Sequence, residues 1–514
     1  MAALKSSASS RPSSQLVIVI LLLAGLSAAA ASWNFTHGFA LNYGDAEAHL
    51  NIARRVFDSR TPGPEQLGTV WLPLPHLLML PFVQHDAWWR SGLAGVIPIA
   101  ACFVAAGVFL FAAARRVYDS AAAGFAAALL FALNPNMLYL QATPMTEPVF
   151  AAALAALLWA TVRYRESPSL PWLLAIAAAS NAASLTRYEG WFLIPFVTLY
   201  VLFAATKKWH AILLGAVAAL GPLAWLAHNQ YYYSNALEFY NGEYSPGAIY
   251  ARQLAAGIAR YPGDHDWRQA IHYYFAAASA VSGIVLLLVA AAGAIAALVR
   301  KIWWPLALLA LPPLFYIWSI HSSGTPLYIP GLWPDTWYNT RYALAALPLA
   351  CLAASGMVAI LPAKARSLAA AILVMSVSIP WFWERDPVVS KESQVNSAAR
   401  REWTRQAAEY LAREYHSGDG LIYTFGDLTG VLRQAGIPLR EGLHQGNHPA
   451  WDAAVARPDL FFREEWVLAQ AGDAVSVAVL RVPGSGPHYE LRKRIMVEGA
   501  PVIEIYQRQR AENP

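Results

Sequence analysis

Two carboxylates and a histidine alternate in the segment Gly44-Asp45-Ala46-Glu47-Ala48-His49. A carboxylate in such a place can take the proton of an attacking hydroxyl. The pair Asp45 and Glu47, with His49 nearby, could equally hold a divalent cation through hard oxygen ligands. Three further segments carry charge: Pro144-Met145-Thr146-Glu147-Pro148, Leu185-Thr186-Arg187-Tyr188-Glu189-Gly190, and the run from Trp333-Pro334-Asp335 to Asn339-Thr340-Arg341-Tyr342. Arginines stabilise a departing phosphate, so Arg187 and Arg341 complement a base at Asp45. Each segment also has a plainer reading. Asp45 suits a helix N-cap, with His49 on its face and Glu47 pointing elsewhere. Glu147 complements a helix dipole, and Arg187 pairs locally with Glu189.

What must position these residues is a membrane. Hydrophobic residues make up 57% of the 514 and charged residues 13%, against about 25% in a soluble protein. Apolar runs of span length, about 20 residues each, fall near 15–32, 91–114, 120–140, 145–162, 169–186, 190–206, 209–228, 273–299, 303–320, 342–362 and 367–383. An all-α polytopic domain of about eleven transmembrane helices is expected. The first run ends in the small residues Ser27 to Ser32, which mimic a signal-peptidase site; an uncleaved anchor is the expectation. The stretch 66–83, broken by Pro73, Pro75 and Pro81, reads as re-entrant or interfacial.

Orientation follows from the basic residues. Lys5 and Arg11 precede the first run, and Arg115/Arg116, Arg163/Arg165, Lys207/Lys208, Arg300/Lys301 and Lys364/Arg366 fall in alternate loops. The positive-inside rule puts all of them in the cytoplasm, with the N-terminus inside and everything after 384 outside. The candidate acids and arginines then share the outer face. Ions at such depth are costly without partners, so one common pocket is the economical arrangement. No long Lys/Arg run points to nucleic acid, and Cys102 and Cys351 lie in apolar stretches.

Residues 1–384 are therefore expected to form the membrane domain and 385–514 a small extracytoplasmic α/β domain. In the latter, 397–415 reads as an amphipathic helix with Trp403, Ala407 and Leu411 on one face. Leu421–Phe425, Val475–Val482 and Pro501–Tyr506 read as strands. Nucleotide sugars do not cross the membrane freely, so an outward site for sugar transfer implies a donor delivered by a lipid.

These motifs resemble the GT-C superfamily of membrane glycosyltransferases. The likeness is to its protein O-mannosyltransferase and aminoarabinose-transferase branch (glycosyltransferase family 39, phospholipid-carrier-dependent). It rests on the acidic first-loop motif, on Pro144 to Pro148, on Leu185 to Gly190 and on Asn339 to Tyr342. The resemblance implies a GT-C-like fold and an inverting transfer from a polyprenyl-phosphate-linked sugar. The acceptor is left open between protein, lipid and glycan. Carried onto this chain, it makes Asp45 the general base and Glu47 the second member of its Asp-x-Glu signature, with Glu147 beside them as a third catalytic carboxylate. His49, Arg187, Tyr188, Glu189, Asp335 and Arg341 are the expected substrate contacts. A divalent metal at Asp45 and Glu47 stays open, and the chain would sit among the lipids of a prokaryotic plasma membrane. A multi-pass transporter, or a scaffold with an outer interaction domain, is the alternative.

Overall fold

The computed structural model describes residues 14–383, 387–482 and 486–509. Lys5 and Arg11, and the expected boundary at 384/385, lie outside them. The described chain is mostly helical, and a five-stranded sheet follows near its C-terminal end.

Among the described residues six helices are long and apolar enough to cross a membrane: Ser14–Thr36, Leu93–Val117, Trp209–Tyr233, Trp304–His321, Thr340–Ile360 and Ala363–Trp381. A seventh span arises if Trp267–Ser282 and Ile284–Val299, bent by 108° at Gly283, count as one. Helices also occupy the other expected runs, but Ala121–Ala132, Leu170–Ser184 and Glu189–Ala204 are shorter apolar segments. Glu147–Glu166 has the length, yet ends in Arg163, Arg165 and Glu166.

Helix direction separates the two kinds of charge. The helix that begins at Glu147 ends near Arg163 and Arg165, about 25 Å away at 1.5 Å per residue. At that far end Arg116 and Arg163 both reach Glu166, at 2.6 and 3.3 Å, and Arg366 donates to the Asp119 carbonyl. Arg116, Arg163, Arg165 and Arg366 thus gather at the end of the bundle opposite Glu147.

The helix Gly44–Arg55 follows the first span. Its N-cap is Tyr43, and no side chain caps it, so Asp45 stands inside the first turn instead of capping it. The helix is also not a wet interfacial one. Glu47, His49, Leu50, Asn51, Arg54 and Arg55 are all buried, because the C-terminal region covers it. Leu50 and Ala53 share one apolar core with Met79 and Val83 of the short helix Leu74–Val83 and with Trp403, Leu411, Leu421 and Val431.

A bridging helix, Val388–Glu414, makes that cover possible. Its start is buried against the bundle: Asn136 Oδ1 accepts from the Val389 N–H at 2.9 Å, Tyr43 donates to the Val389 carbonyl at 3.0 Å, and Tyr139 meets Ser393 at 2.6 Å. Its second half presents Trp403, Ala407 and Leu411 to the sheet, all buried. The strands are β1 (Leu421–Tyr423), β2 (Gly442–Leu443), β3 (Trp466–Gln470), β4 (Tyr489–Ile495) and β5 (Ile503–Arg508), in the order β2-β1-β3-β5-β4. β1 is parallel to β2 and β3, and β5 is antiparallel to β3 and β4. The expected strand at Val475–Val482 is instead a helix, Ala474–Leu480. Asp473 caps it by accepting from the Ser476 N–H, and Val475 and Ala478 fall on its buried side, a helical spacing that local alternation concealed.

The bundle packs closely where small residues meet. A side chain at Gly293 would come within 2.0 Å of the Ala353 carbonyl oxygen, so the two helices touch through backbone. Gly293→Val should therefore force them apart and destabilise the protein by about 1–3 kcal/mol. A lower unfolding midpoint of the purified protein in detergent would register this; an unchanged midpoint would contradict the close packing.

Candidate active site

Arg341 lies in the turn Thr340–Ala346 and is 6% exposed. Its guanidinium meets three carboxylates from three parts of the chain. Nη2 donates to Asp45 Oδ2, Nε to Glu147 Oε1 at 3.2 Å, and Nη1 to Glu392 Oε1 at 3.5 Å. Glu392, on the bridging helix, also accepts from the Asn339 and Thr340 N–H groups at 3.1 and 2.8 Å and from the Thr340 hydroxyl. Burial nonetheless raises the Glu392 carboxyl above the ordinary carboxylate range, against the pull of Arg341 and Thr340.

Arg187 sits beside Arg341 with its own set. It donates to Glu189 at 2.6 Å, to Glu147 Oε1 at 3.1 Å and to the Thr146 hydroxyl at 2.6 Å. Tyr316 accepts from Arg187 and donates to Glu189 at 2.6 Å. Glu147 Oε1 thus bridges the two arginines, while its Oε2 is buried with no hydrogen-bond partner among the described residues. The Tyr342 ring centroid lies 4.9 Å from each guanidinium carbon, so both cations rest against one aromatic ring.

The structure brings Asp45, Glu147, Arg187, Glu189 and Arg341 together. It turns other expected residues away. Glu47 accepts from Arg433 at 2.8 Å and from Arg400; burial alone would raise its carboxyl, but the two guanidinium groups hold it below the usual range. His49 is bonded to His76 at 2.8 Å and rests against Trp71. Burial and the fields of Arg341 and Arg187 push its imidazole down to about 3, so it is neutral at any ordinary pH. Tyr188 donates to the Val70 carbonyl at 2.8 Å and stacks on Phe239. Asp335 is exposed and closes its own loop by accepting from the Gly331 N–H at 2.7 Å. Thr146 and Tyr342 enter the cluster from the quoted segments without having been singled out, and Tyr316 and Glu392 enter it unannounced: Tyr316 is a common type in an apolar span, and Glu392 lies beyond the last span.

The residues do not fit a metal at Asp45 and Glu47. Both Glu47 oxygens are held by Arg400 and Arg433, whereas Asp45 faces Arg341. Among the described residues no group of three His, Cys, Asp or Glu side chains is placed to hold an ion.

A cleft runs from this cluster into the bundle. Glu147, Arg187, Glu189 and Arg341 line its charged end. Phe150, Ala151 and Leu154 continue along the same face of the Glu147 helix at three- and four-residue spacing, with Leu344 and Pro348 opposite. The cleft holds ≈ 350 Å³ of empty space including its mouth. The head is polar and the wall is apolar.

The pattern of the family described as dolichyl-phosphate-mannose-protein mannosyltransferase matches residues 86–228. ArnT from Cupriavidus metallidurans bound to undecaprenyl phosphate superposes with a TM-score of 0.56 at 12% identity, covering 96% of this chain and 98% of that one. The chain has the fold of the GT-C superfamily of membrane glycosyltransferases. A second GT-C structure, the Archaeoglobus fulgidus oligosaccharyltransferase in its apo form, aligns at a TM-score of 0.52 and 10% identity over 88% of this chain and 69% of that one. The archaeal enzyme AglB in complex with an inhibitory peptide and a dolichol-phosphate gives 0.50 and 10% over 89% and 69%. No curated protein matches by sequence. With the GT-C fold in hand, the bundle and the C-terminal sheet region both fall within the aligned span.

Glu47→Gln leaves the Arg400 and Arg433 guanidinium groups buried with no anion between them. Breaking a buried pair in this way costs about 3–5 kcal/mol. Glu47→Gln should thus lower the unfolding midpoint steeply, and trypsin should cut sooner between the bridging helix and the sheet; protection equal to wild type would sink this assignment.

Proposed function

We propose that the protein transfers a sugar from a polyprenyl-phosphate donor to an acceptor hydroxyl, with inversion, at the cleft headed by Arg187 and Arg341. The observation that carries this reading is the cleft itself, in which two buried guanidinium groups head an apolar wall. A lipid phosphate has that same pattern, a charged head on a long apolar tail. The ArnT structure with undecaprenyl phosphate and the AglB structure with dolichol-phosphate support the lipid class of the donor.

In this reading the donor phosphate lies against Arg187 and Arg341, with its prenyl chain along Phe150, Leu154 and Leu344. Asp45 Oδ2 loses Arg341 to the phosphate and turns to the acceptor hydroxyl. The acceptor hydroxyl oxygen attacks the anomeric carbon as the carbon–oxygen bond to phosphate breaks, and Asp45 takes the hydroxyl proton. The leaving phosphate retains the bonding electrons and is stabilised by the two guanidinium groups. Asp45 suits the role because its side chain is 38% exposed, against 8% for Glu147 and 2% for Glu392. Glu147 and Glu189 hold the arginines in place before the donor arrives. The gathering of Arg116, Arg163, Arg165 and Arg366 at the other end of the bundle supports a cytoplasmic N-terminus and an outward cleft, with residues 385–514 as an outer domain over the acceptor side.

Two measurements test the proposal. Asp45→Asn keeps size and polarity but removes the base, so transfer from a polyprenyl-phosphate sugar should fall by about 10²–10⁴-fold while the protein still inserts and retains the lipid. Undiminished turnover would remove Asp45 from the reaction. Mass analysis of lipid co-purified with wild type should identify a polyprenyl phosphate. Arg187→Ala combined with Arg341→Ala should purify without it; equal lipid content in that double variant would overturn the phosphate assignment.

A further inference from the structure

Proton transfer to Asp45 and departure of the phosphate leave one buried carboxylate of the cluster without a role. Glu392 stands in the second turn of the bridging helix, and its side chain is 2% exposed. Every partner it has is a donor: the Asn339 and Thr340 N–H groups, the Thr340 hydroxyl and Arg341 Nη1. A carboxylic acid would give its own proton to an acceptor, so these surroundings suit the anion. Three of those contacts come from Asn339 and Thr340 and do not involve the Arg341 side chain. Glu392 therefore keeps its place whatever the guanidinium does.

Arg341 meets its carboxylates at different parts of the guanidinium fork. Nε and Nη2 form one edge of that planar group, an edge that fits two oxygens of a single phosphate. Glu147 holds the edge through Nε and Asp45 holds it through Nη2. The Asp45 side chain has no other ion pair or hydrogen bond among the described residues, so it yields readily. Nη1 lies outside the edge and is left to Glu392 at 3.5 Å. A phosphate that takes Nε and Nη2 thus displaces Asp45 and Glu147 but not Glu392. One negative charge stays fixed on the far side of the cation that holds the ligand.

The charge of that ligand changes in the reaction. The donor is a phosphodiester with one negative charge. Transfer breaks its bond from the anomeric carbon to the phosphate oxygen, the phosphate keeps the electron pair, and the acceptor proton goes to Asp45. The product is a phosphate monoester, which carries two charges above about pH 7. Attraction grows in proportion to charge, so two unopposed guanidinium groups would hold the product far more strongly than the donor. We propose that Glu392 is a positioning residue that sets this balance. It fixes Arg341 through Nη1 and through the Thr340 backbone, and its retained charge offsets part of the guanidinium field. The cleft then accepts the singly charged donor and releases the doubly charged product. The assignment rests on the polyprenyl-phosphate reading of the cleft and adds product release to it.

The test is lipid binding by the purified full chain in detergent, followed by native mass spectrometry at about pH 8, where the monoester is doubly charged. The probes are undecaprenyl phosphate, a doubly charged monoester, and undecaprenyl methyl phosphate, a singly charged diester. Wild type should bind the two within about threefold of one another. Glu392→Gln keeps an oxygen for the Thr340 N–H and removes the charge. It should tighten the monoester by about tenfold and the diester by about threefold, because the gain scales with ligand charge. Glu392→Asp retains the charge and should return the ratio toward wild type. A carboxylate that served the fold alone would weaken both lipids when lost. Weaker binding of both by Glu392→Gln, or a ratio that does not move, would overturn the proposal and leave the phosphate site standing. A wild type that prefers the monoester by about a hundredfold would overturn it without any variant. Should wild type bind neither lipid, the phosphate reading of the cleft falls, and the role of Glu392 with it.

Discussion

The buried guanidinium of Arg341 is the point on which the rest of the arrangement turns. A charge so far from water is tolerable only with partners in good geometry. Its partners come from the first-loop helix, the start of the Glu147 helix and the bridging helix. These partners lie 296, 194 and 51 residues from Arg341 along the chain, and none of them can move without stranding a charge. Glu392 adds a further constraint, since it binds Arg341 and also fixes the Asn339 and Thr340 backbone that presents it. The cluster therefore serves as both a candidate reaction centre and a structural node.

The first-loop helix has a different job on each side. One side gives Asp45 to the bundle, and the other gives Glu47 to Arg400 and Arg433 of the C-terminal region. Apolar packing follows the same division, with Leu50 and Ala53 in a core completed by Trp403 and Val431. Membrane bundle and sheet thus grip one short helix between them.

The GT-C fold persists here at 12% identity to a solved structure. Few of the residues that shape the bundle need be particular ones, because apolar spans tolerate exchange of one aliphatic residue for another. The charged cluster is less forgiving. Two arginines against Asp45, Glu147, Glu189 and Glu392 leave an excess of carboxylate, so an arriving phosphate must draw the guanidinium groups away from existing partners. In the proposed reaction that exchange is useful, since it frees Asp45 when the donor is in place.

Much of this was legible in the sequence. Composition demanded a membrane, hydropathy located helices at the expected runs, and the positions of Asp45, Glu147, Arg187 and Arg341 at helix ends suggested convergence. Those are local properties, set by length, polarity and the cost of burying charge. Local pattern failed where a distant element supplied the partner. Glu47 looked like a twin of Asp45 until Arg400 and Arg433, more than 350 residues away, claimed it. Asp335 lay in the same loop as Arg341, but its turn points it to water. Glu392 gave no signal, because its importance comes from folding back onto Thr340. Which residues carry ionisable groups is written in the chain; which of them face one another depends on how the bridging helix returns to the bundle, and only the tertiary structure decides that.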